Sequence, residues 1–222
     1  MRARFDEQLC QLNDMLIDMG SLCENAIRCA IKAFEEDSAE MRNETYEIDK
    51  VIDDREREIE SVCMKLLMQQ QPVARDLRQI SSAMKMISDM ERIGDQASDI
   101  AEISATMKFI NKKKGQEHIG QMAQAAINML TQSISSFVNK DIELAEKAIA
   151  MDDIVDELFE IVKEDLLDVV AEDRKSGEYF LDILMIAKYL ERIGDHAENI
   201  AEWVIYSVTG RHADELRLDM KL

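Results

Sequence analysis

The chain has few of the residues that interrupt helices or build sheets. Its 222 residues include one proline and seven glycines, and aromatic residues make up 5% of the sequence. Strands require alternating runs of β-branched and aromatic residues, and only the short stretch 203–208 comes near that pattern. The composition is otherwise dominated by residues with good helix propensity. We therefore predict an all-α protein.

Basic residues are also scarce, with 27 lysines and arginines against 46 acidic residues. The resulting net charge of −19 repels a phosphate backbone and attracts cations or basic protein surfaces. We therefore predict no nucleic-acid partner. The one basic run, Lys112–Lys114, lies between two helical patterns, and we interpret it as a solvated loop.

Features of secreted and membrane proteins are missing as well. The four cysteines lie at apolar positions of helical patterns without C-x-x-C spacing, which is typical of reduced core thiols. The first residues show no signal-peptide pattern. The uncharged stretch 119–139 is interrupted by glutamine, asparagine and serine, which favours a soluble amphipathic helix over a membrane span. We predict a cytoplasmic protein without membrane insertion.

Two pairs of matching segments reveal an internal repeat. Residues 90–102 read MERIGDQASDIAE, and residues 190–202, which follow 100 positions later, read LERIGDHAENIAE. A weaker match at an offset of 103 positions relates residues 48–53, IDKVID, to residues 151–156, MDDIVD. Self-similarity of this kind indicates a duplicated structural unit.

Turn and capping signals divide each unit into three helices. They include a capping-box pattern at 37–40, the single proline at position 72, and Gly115 between the units. Long helices joined by short turns pack antiparallel to their neighbours. We predict two tandem, pseudo-symmetric three-helix bundles, residues 1–114 and 115–222, with helices near 4–36, 38–70, 73–111, 117–138, 141–174 and 178–209.

The acids of each repeat gather on one side of two helices. On the last helix, an apolar stripe from Ile186 to Val204 marks the core face. At about 100° per residue, Glu191, Asp195 and Glu198 fall roughly opposite this stripe, so we expect them to face outward. The third helix repeats this arrangement, and the second and fifth helices add carboxylates at i,i+4 spacing.

Two interpretations of these acidic stripes remain open. They are either ordinary solvated surface or metal-binding sites. Like charges at i,i+4 destabilise a helix by about 0.2–0.5 kcal/mol per pair, and a bound cation would remove that penalty. Carboxylate pairs on facing helices can chelate or bridge divalent ions.

Other residue types give weaker indications. Gly94 and Gly194 occupy equivalent places inside helices, where glycine costs about 1 kcal/mol relative to alanine, and they indicate close helix packing or room beside a ligand. The three histidines lack a second histidine at i,i+4, so we expect surface or capping roles rather than H-x-x-x-H zinc chemistry. Methionines at apolar helical positions are interpreted as core residues: Met84, Met86, Met90 and Met185.

With the motif E-R-I-G-D-x-A-x-x-I-A-E present twice, the chain resembles the PhoU family over essentially its whole length. The resemblance implies a cytoplasmic negative regulator of phosphate uptake and of the phosphate-starvation response. It implies contacts with the ATPase of the phosphate ABC transporter and with a sensor histidine kinase, and a homodimer would fit it.

The resemblance also implies metal ions, because several family members carry multinuclear clusters of iron, zinc or similar metals on their acidic faces. The family holds these clusters with E/D-x-x-x-D motifs. Asn199 departs from its counterpart Asp99, although an amide oxygen can still bind a hard cation. The implied ligands are Asp49, Asp53, Glu91, Asp95 and Asp99 in the first repeat, and Asp152, Asp156, Glu191, Asp195 and Asn199 in the second.

Three functions are compatible with these sequence features. A non-enzymatic regulatory adaptor is the leading hypothesis. A carboxylate-bridged metalloenzyme of the helical-bundle type is the alternative, although the chain has no Glu-x-x-His and its acids are expected to face outward. A purely structural helical module is the third. Direct phosphate sensing has no support in the sequence, since no P-loop, glycine-rich cradle or basic anion pocket is visible.

Overall fold

Long α-helices make up the part of the chain that the computed structural model describes, residues 2–70, 72–107, 116–172, 177–213 and 215. No strand occurs within these residues, so the predicted all-α fold is confirmed. The helices of this described part are α1 (Arg2–Glu36), α2 (Ala39–Gln70), α3 (Ala74–Thr106), α4 (Gln116–Asn139), α5 (Ile142–Ala150), α6 (Asp152–Glu172) and α7 (Gly177–Thr209).

The connection after the first helix of each repeat has the same backbone conformation. Asp37 and Lys140 occupy equivalent positions and both adopt a left-handed backbone, with φ of 50° and 57°. Capping side chains then start the next helix, because the Ser38 hydroxyl accepts a hydrogen bond from the Met41 N–H, and the Asp141 carboxylate accepts one from the Leu144 N–H. These caps lie where the sequence predicts helix starts.

The fifth predicted helix is interrupted by a single residue. Met151, with φ −75° and ψ −15°, separates α5 from α6 and places Asp152 in the first turn of α6. The third helix is shorter than predicted, because Met107 has an extended ψ of 131° and α3 ends at Thr106. The rest of the predicted helix to residue 111, the basic run Lys112–Lys114 and the boundary at 114/115 lie outside the described residues.

The two repeats pack against each other through α3 and α7 and, less extensively, through α1 and α4. Both pairs are antiparallel. Along α3, Asp89 contacts His196 of α7 and Asp99 contacts the earlier Tyr189. Along α1, Arg28 reaches Gln124 of α4 and the earlier Gly20 lies beside Ile134. One apolar core therefore extends through both repeats, with members such as Phe34 and Tyr179. Within the described chain, no helix is long and apolar enough to cross a membrane.

Burial of the sulfur-containing residues agrees only partly with the predictions. Met86 and Met90 are fully buried, but Met185 is 42% exposed, so its interpretation as a core residue was wrong. Cys23 and Cys63 lie in the core, whereas Cys10 is exposed and Cys29 partly exposed. The sequence pattern shows that a residue lies on the apolar side of its own helix. It does not show whether a neighbouring helix extends far enough to cover that side chain.

Candidate functional site

Eight of the ten predicted ligands lie on two acidic faces, one per repeat. The first acidic face lies along the contact between α2 and α3, and the second lies along the contact between α6 and α7. Each face combines acids of one helix with the E-x-x-x-D motif of the other. The first comprises Asp49, Asp53, Glu91 and Asp95, and the second comprises Asp152, Asp156, Glu191, Asp195 and Glu198.

A glycine beneath each face explains how the helices approach there. A Cβ atom added to Gly94 would lie 2.8 Å from Asp49 Oδ1, and one added to Gly194 would lie 3.2 Å from Asp152 Oδ1. The glycines thus leave room for a carboxylate of the neighbouring helix to lie against the backbone of α3 or α7. Of the two roles predicted from the sequence, close helix packing is confirmed at these positions, and room beside a ligand stays a prediction.

Each of these carboxylates has one oxygen without a hydrogen-bond partner among the described residues. Ser98 donates to Asp49 Oδ2 over 2.9 Å, but Asp49 Oδ1 is buried and unpaired. Asp152 Oδ1 is buried and unpaired in the same way. An unsatisfied buried acceptor costs about 1–3 kcal/mol, and more if charged, so both positions would gain from a positive partner.

The charge environment of the two faces differs at one pair of equivalent residues. Burial raises the pKa of Asp49, the hydrogen bond from Ser98 lowers it, and repulsion by Asp95 raises it further. The second repeat has Glu198 in place of Ser98. Burial first and repulsion by Glu198 next therefore raise the pKa of Asp152 to about 7. The second face holds the more strongly repelling set of carboxylates.

The remaining acids differ in exposure. The side chains of Glu91 and Glu191 are only 23% and 16% exposed, whereas Asp156 and Asp195 are exposed, so the expectation that these stripes face outward is only partly confirmed. Burial, followed by repulsion from Asp95, raises the pKa of Glu91, and burial followed by repulsion from Glu191 raises the pKa of Asp195. The adjacent helix covers part of the Glu91 and Glu191 side chains, and a prediction made from one helix at a time does not include that helix.

Basic side chains neutralise each face only in part. Arg92 lies 3.2 Å from Asp95 and 3.5 Å from Glu91, with its own side chain 61% exposed. Lys188 donates a short hydrogen bond to Glu191. Exposed pairs of this kind contribute little, typically about 0–1 kcal/mol. The repulsion within each face therefore outweighs these ion pairs.

Two of the ten predicted ligands lie instead at the contact between the repeats. Burial raises the pKa of Asp99, repulsion by Asp95 and Glu102 adds to it, and a hydrogen bond from Tyr189 lowers it. Asn199 donates to Asp89 over 3.4 Å. Because Asp99 and Tyr189 stand at the positions equivalent to Asn199 and Asp89, the two contacts are related by the internal repeat. These residues connect α3 with α7 and lie at the edge of the acidic faces.

Two of the three histidines pair with aspartates of other helices. His118 Nδ1 lies 3.0 Å from Asp165, and His196 Nδ1 lies 3.0 Å from Asp89. His212 stacks on Tyr206 with ring centroids 4.7 Å apart. The exposed His212 agrees with the expected surface role, whereas His118 and His196 are partly buried and connect helices.

The donors of both faces suit hard or borderline cations. They are carboxylate oxygens, which such ions prefer, and each face contains a buried oxygen that lacks a partner. As the side chains are placed, no three acid, histidine or cysteine groups of the described chain converge on one ion position. Binding would therefore require rotation of side chains around Asp49 and Asp152, which the half-exposed Asp53 and Asp156 permit.

Comparison with known protein families gives a match in both repeats. A sequence profile described as the PhoU domain matches residues 16–104 and 119–204. Among curated proteins, the "Phosphate-specific transport system accessory protein PhoU homolog" of Clostridium acetobutylicum is 34% identical over 220 residues, which cover 96% of this chain and 98% of the relative. The protein of the same name from Synechocystis is 35% identical over 211 residues, covering 95% of this chain and 93% of the relative.

Solved structures show the same similarity. The crystal structure of PhoU from Pseudomonas aeruginosa superposes with a TM-score of 0.87 at 32% identity, covering 93% of this chain and all of that one. The phosphate transport system regulatory protein PhoU from Streptococcus pneumoniae superposes with a TM-score of 0.86 at 26% identity, covering 95% of this chain and 99% of that one.

Proposed function

The chain belongs to the PhoU family, and from its regulatory role in phosphate transport we propose that it is a negative regulator of phosphate uptake and of the phosphate-starvation response. The observation that carries the proposal is the extent of the similarity. Both repeats match, and the relatives named as accessory proteins are covered over nearly their whole length. The protein acts by contact rather than by catalysis, as a cytoplasmic homodimer without membrane insertion.

The partners are the ATPase of the phosphate ABC transporter and the phosphate sensor histidine kinase. Relatives are named for the phosphate-specific transport system, which supports the first partner. The net charge of −19 supports contact with basic protein surfaces and opposes binding to nucleic acid.

We expect affinity capture to recover these partners. The tagged full-length chain, expressed in its native host, should retain the transporter ATPase and the sensor kinase well above the amount retained by an unrelated helical protein of similar negative charge. The comparison should be made in cells grown in phosphate-rich and in phosphate-poor medium. Recovery of neither partner in both media would contradict the assignment.

The second part of the proposal is that the two acidic faces bind metal ions, iron or zinc, as multinuclear clusters. The unpaired buried oxygens of Asp49 and Asp152 and the uncompensated repulsion around them support it. Bound ions would neutralise each face and tie α2 to α3 and α6 to α7. The residues that would hold them are Asp49, Asp53, Glu91 and Asp95 in the first repeat and Asp152, Asp156, Glu191 and Asp195 in the second, with Asp99 and Asn199 at the edge of each face.

The metalloenzyme alternative has less support. The half-burial of Glu91 and Glu191 weakens one of the two arguments against it, although Asp156 and Asp195 are exposed. The other remains, because redox carboxylate bundles use Glu-x-x-His and this chain has none. Two of its three histidines also pair with aspartates that are outside the acidic faces.

A further inference from the structure

An apolar groove lies where the C-terminal end of α3 passes the N-terminal end of α7, and we call it the α3–α7 groove. Its lining includes the apolar side chains of Ile103, Leu181 and Met185, which we call its apolar floor, and the carboxylates of Asp99, Glu102 and Asp182. The groove is open to solvent and has a volume of about 380 Å³. Leu181 is 58% exposed and Met185 is 42% exposed, so two large apolar side chains one helical turn apart face solvent here.

The internal repeat shows that the fold does not need these apolar residues. At an offset of 100 positions, Leu181 corresponds to Ser81 and Met185 corresponds to Lys85. The first repeat therefore places a small polar and a charged side chain at the same points of the same helix. Folding alone gives no reason to keep leucine and methionine exposed in the second repeat, whereas contact with another molecule does.

The α3 side of the groove has also diverged between the repeats. Ile103, which is partly buried in the α3–α7 groove, corresponds to Trp203. The larger Trp203 side chain packs edge-on against Tyr206, with ring centroids 5.9 Å apart. The positions equivalent to Leu181, Met185 and Ile103 thus carry serine, lysine and tryptophan. Among the described residues, the two repeats therefore differ in the side chains at this place.

Charge complementarity selects the occupant. Three carboxylates border the apolar floor, in a chain whose net charge is −19. These carboxylates would repel an acidic helix or an anionic lipid surface. A helix with lysine or arginine on either side of an apolar stripe fits better, because its basic side chains would contact the carboxylates and its stripe would cover Leu181 and Met185. Residues four apart on α7 form a ridge, which a second helix with apolar residues at i,i+3 and i+4 can pack against.

We propose that the α3–α7 groove is a docking surface for a basic amphipathic helix of a partner protein. The proposal rests on the proposed function in one respect, because a regulator that acts by contact needs such a surface. The apolar residues of the groove are separate from the predicted metal ligands, whereas Asp99 belongs both to the groove and to the predicted ligand set.

The probe for this proposal is a fluorescent synthetic helix of about four turns, made of leucine at i,i+3,i+4 spacing and lysine elsewhere. Binding to the full-length chain is measured by anisotropy at about 0.15 M salt, where distant charges are screened. Two further peptides separate charge from packing: one replaces lysine by glutamate, and one replaces leucine by serine and keeps every lysine. We expect the leucine–lysine peptide to bind at least about tenfold more tightly than either.

A matched pair of variants tests the location. L181S/M185K installs the residues that the first repeat carries at equivalent positions. L167S/M64K makes the same chemical changes at Leu167, 62% exposed, and Met64, 44% exposed, on helices outside the groove. We expect the first variant to weaken binding about tenfold and the second to leave it nearly unchanged. Equal weakening by both variants, or by neither, would overturn the proposal.

Further measurements address the remaining outcomes. If L181S/M185K does not fold, E102Q/D182N takes its place, and unchanged binding by that variant contradicts the proposal. Conversion of a wild-type dimer to a monomer by L181S/M185K would identify the groove as a contact between copies of this chain and would also overturn it. Capture of the transporter ATPase by a chain that does not bind the peptide contradicts the groove alone. Peptide binding without capture of either partner contradicts the proposed function alone.

Discussion

Replacing Asp152 by asparagine is expected to stabilise the metal-free protein at pH 8. Burial and repulsion by Glu198, Asp156, Asp195 and Glu191 raise the pKa of Asp152 from 3.8 to about 7. A carboxyl with a raised folded-state pKa binds its proton more tightly in the folded chain than in the unfolded chain. Ionisation of Asp152 in the folded chain therefore lowers the free energy of unfolding as the pH rises from about 4 to about 7. Above pH 7 the full loss of stability is present.

The size of this effect is smaller than the full pKa shift suggests. A shift of this size corresponds to about 4 kcal/mol for a fully buried group. Solvent screening and the position of Asp152 in the first turn of α6, where negative charge is favourable, reduce it. We expect a gain of about 1–2 kcal/mol at pH 8, which shifts the unfolding temperature upward by about 2–8 °C.

The measurement is thermal unfolding of chelator-treated protein between pH 4 and pH 8. The gain should shrink toward zero near pH 4, because the wild-type carboxyl is then protonated in the folded chain and about half protonated in the unfolded chain. Asp153→Asn is the matched control, since Asp153 is exposed in the same helical turn. Equal or lower stability of Asp152→Asn at pH 8 would show that repulsion at the second face is already compensated.

Replacing Gly94 by leucine is expected to destabilise the protein strongly. Even a Cβ atom there would lie 2.8 Å from Asp49 Oδ1 and 3.1 Å from Ile52 Cδ1, so a full side chain would force α2 away from α3. Overpacking typically costs about 1–3 kcal/mol and occasionally more, whereas the gain in helix propensity over glycine is under about 1 kcal/mol. We expect a net loss of about 2 kcal/mol, or roughly 4–8 °C in unfolding temperature.

Two other glycines provide the comparison. A Cβ atom at Gly194 would lie 3.2 Å from Asp152 Oδ1 and 3.4 Å from Val155 Cγ1, so Gly194→Leu should cost less than Gly94→Leu. Gly177 has no neighbouring atom within 4 Å of such a Cβ, and Gly177→Leu should leave the unfolding temperature nearly unchanged. If Gly94→Leu were as stable as Gly177→Leu, the close approach of α2 and α3 described at the first acidic face would be wrong.

The helices and the repeat could be predicted because their signals are local. Caps at Ser38 and Asp141 and the scarcity of glycine and proline act within a few residues. The break at Met151 could not be predicted, since the equivalent Ile48 lies inside the unbroken α2. The same pattern of acids and apolar residues continues through both positions.

The acidic faces could be predicted in composition but not in exposure. The spacing of Glu91 and Asp95 places them together on one side of a helix, yet their half-burial depends on how closely α2 lies against α3. Asp99 and Asn199 meet partners on α7 and α3, so their positions depend on how the two repeats pack. From the sequence we noted Asn199 in place of Asp99, but the difference between Ser98 and Glu198, also visible in the aligned repeats, is the signal that would have predicted the unequal pKa values of Asp49 and Asp152.

Elemental analysis of protein purified without chelators tests most directly whether the acidic faces are metal sites. Wild-type chain is compared with E91Q/D95N/E191Q/D195N, and with E44Q/E146Q/E157Q/E164Q, which removes the same number of charges at exposed positions elsewhere. We expect several iron or zinc ions per chain in the wild type and in the second variant, and none in the first. Metal-free wild-type protein, or equal metal content in all three proteins, would contradict metal binding at the two acidic faces.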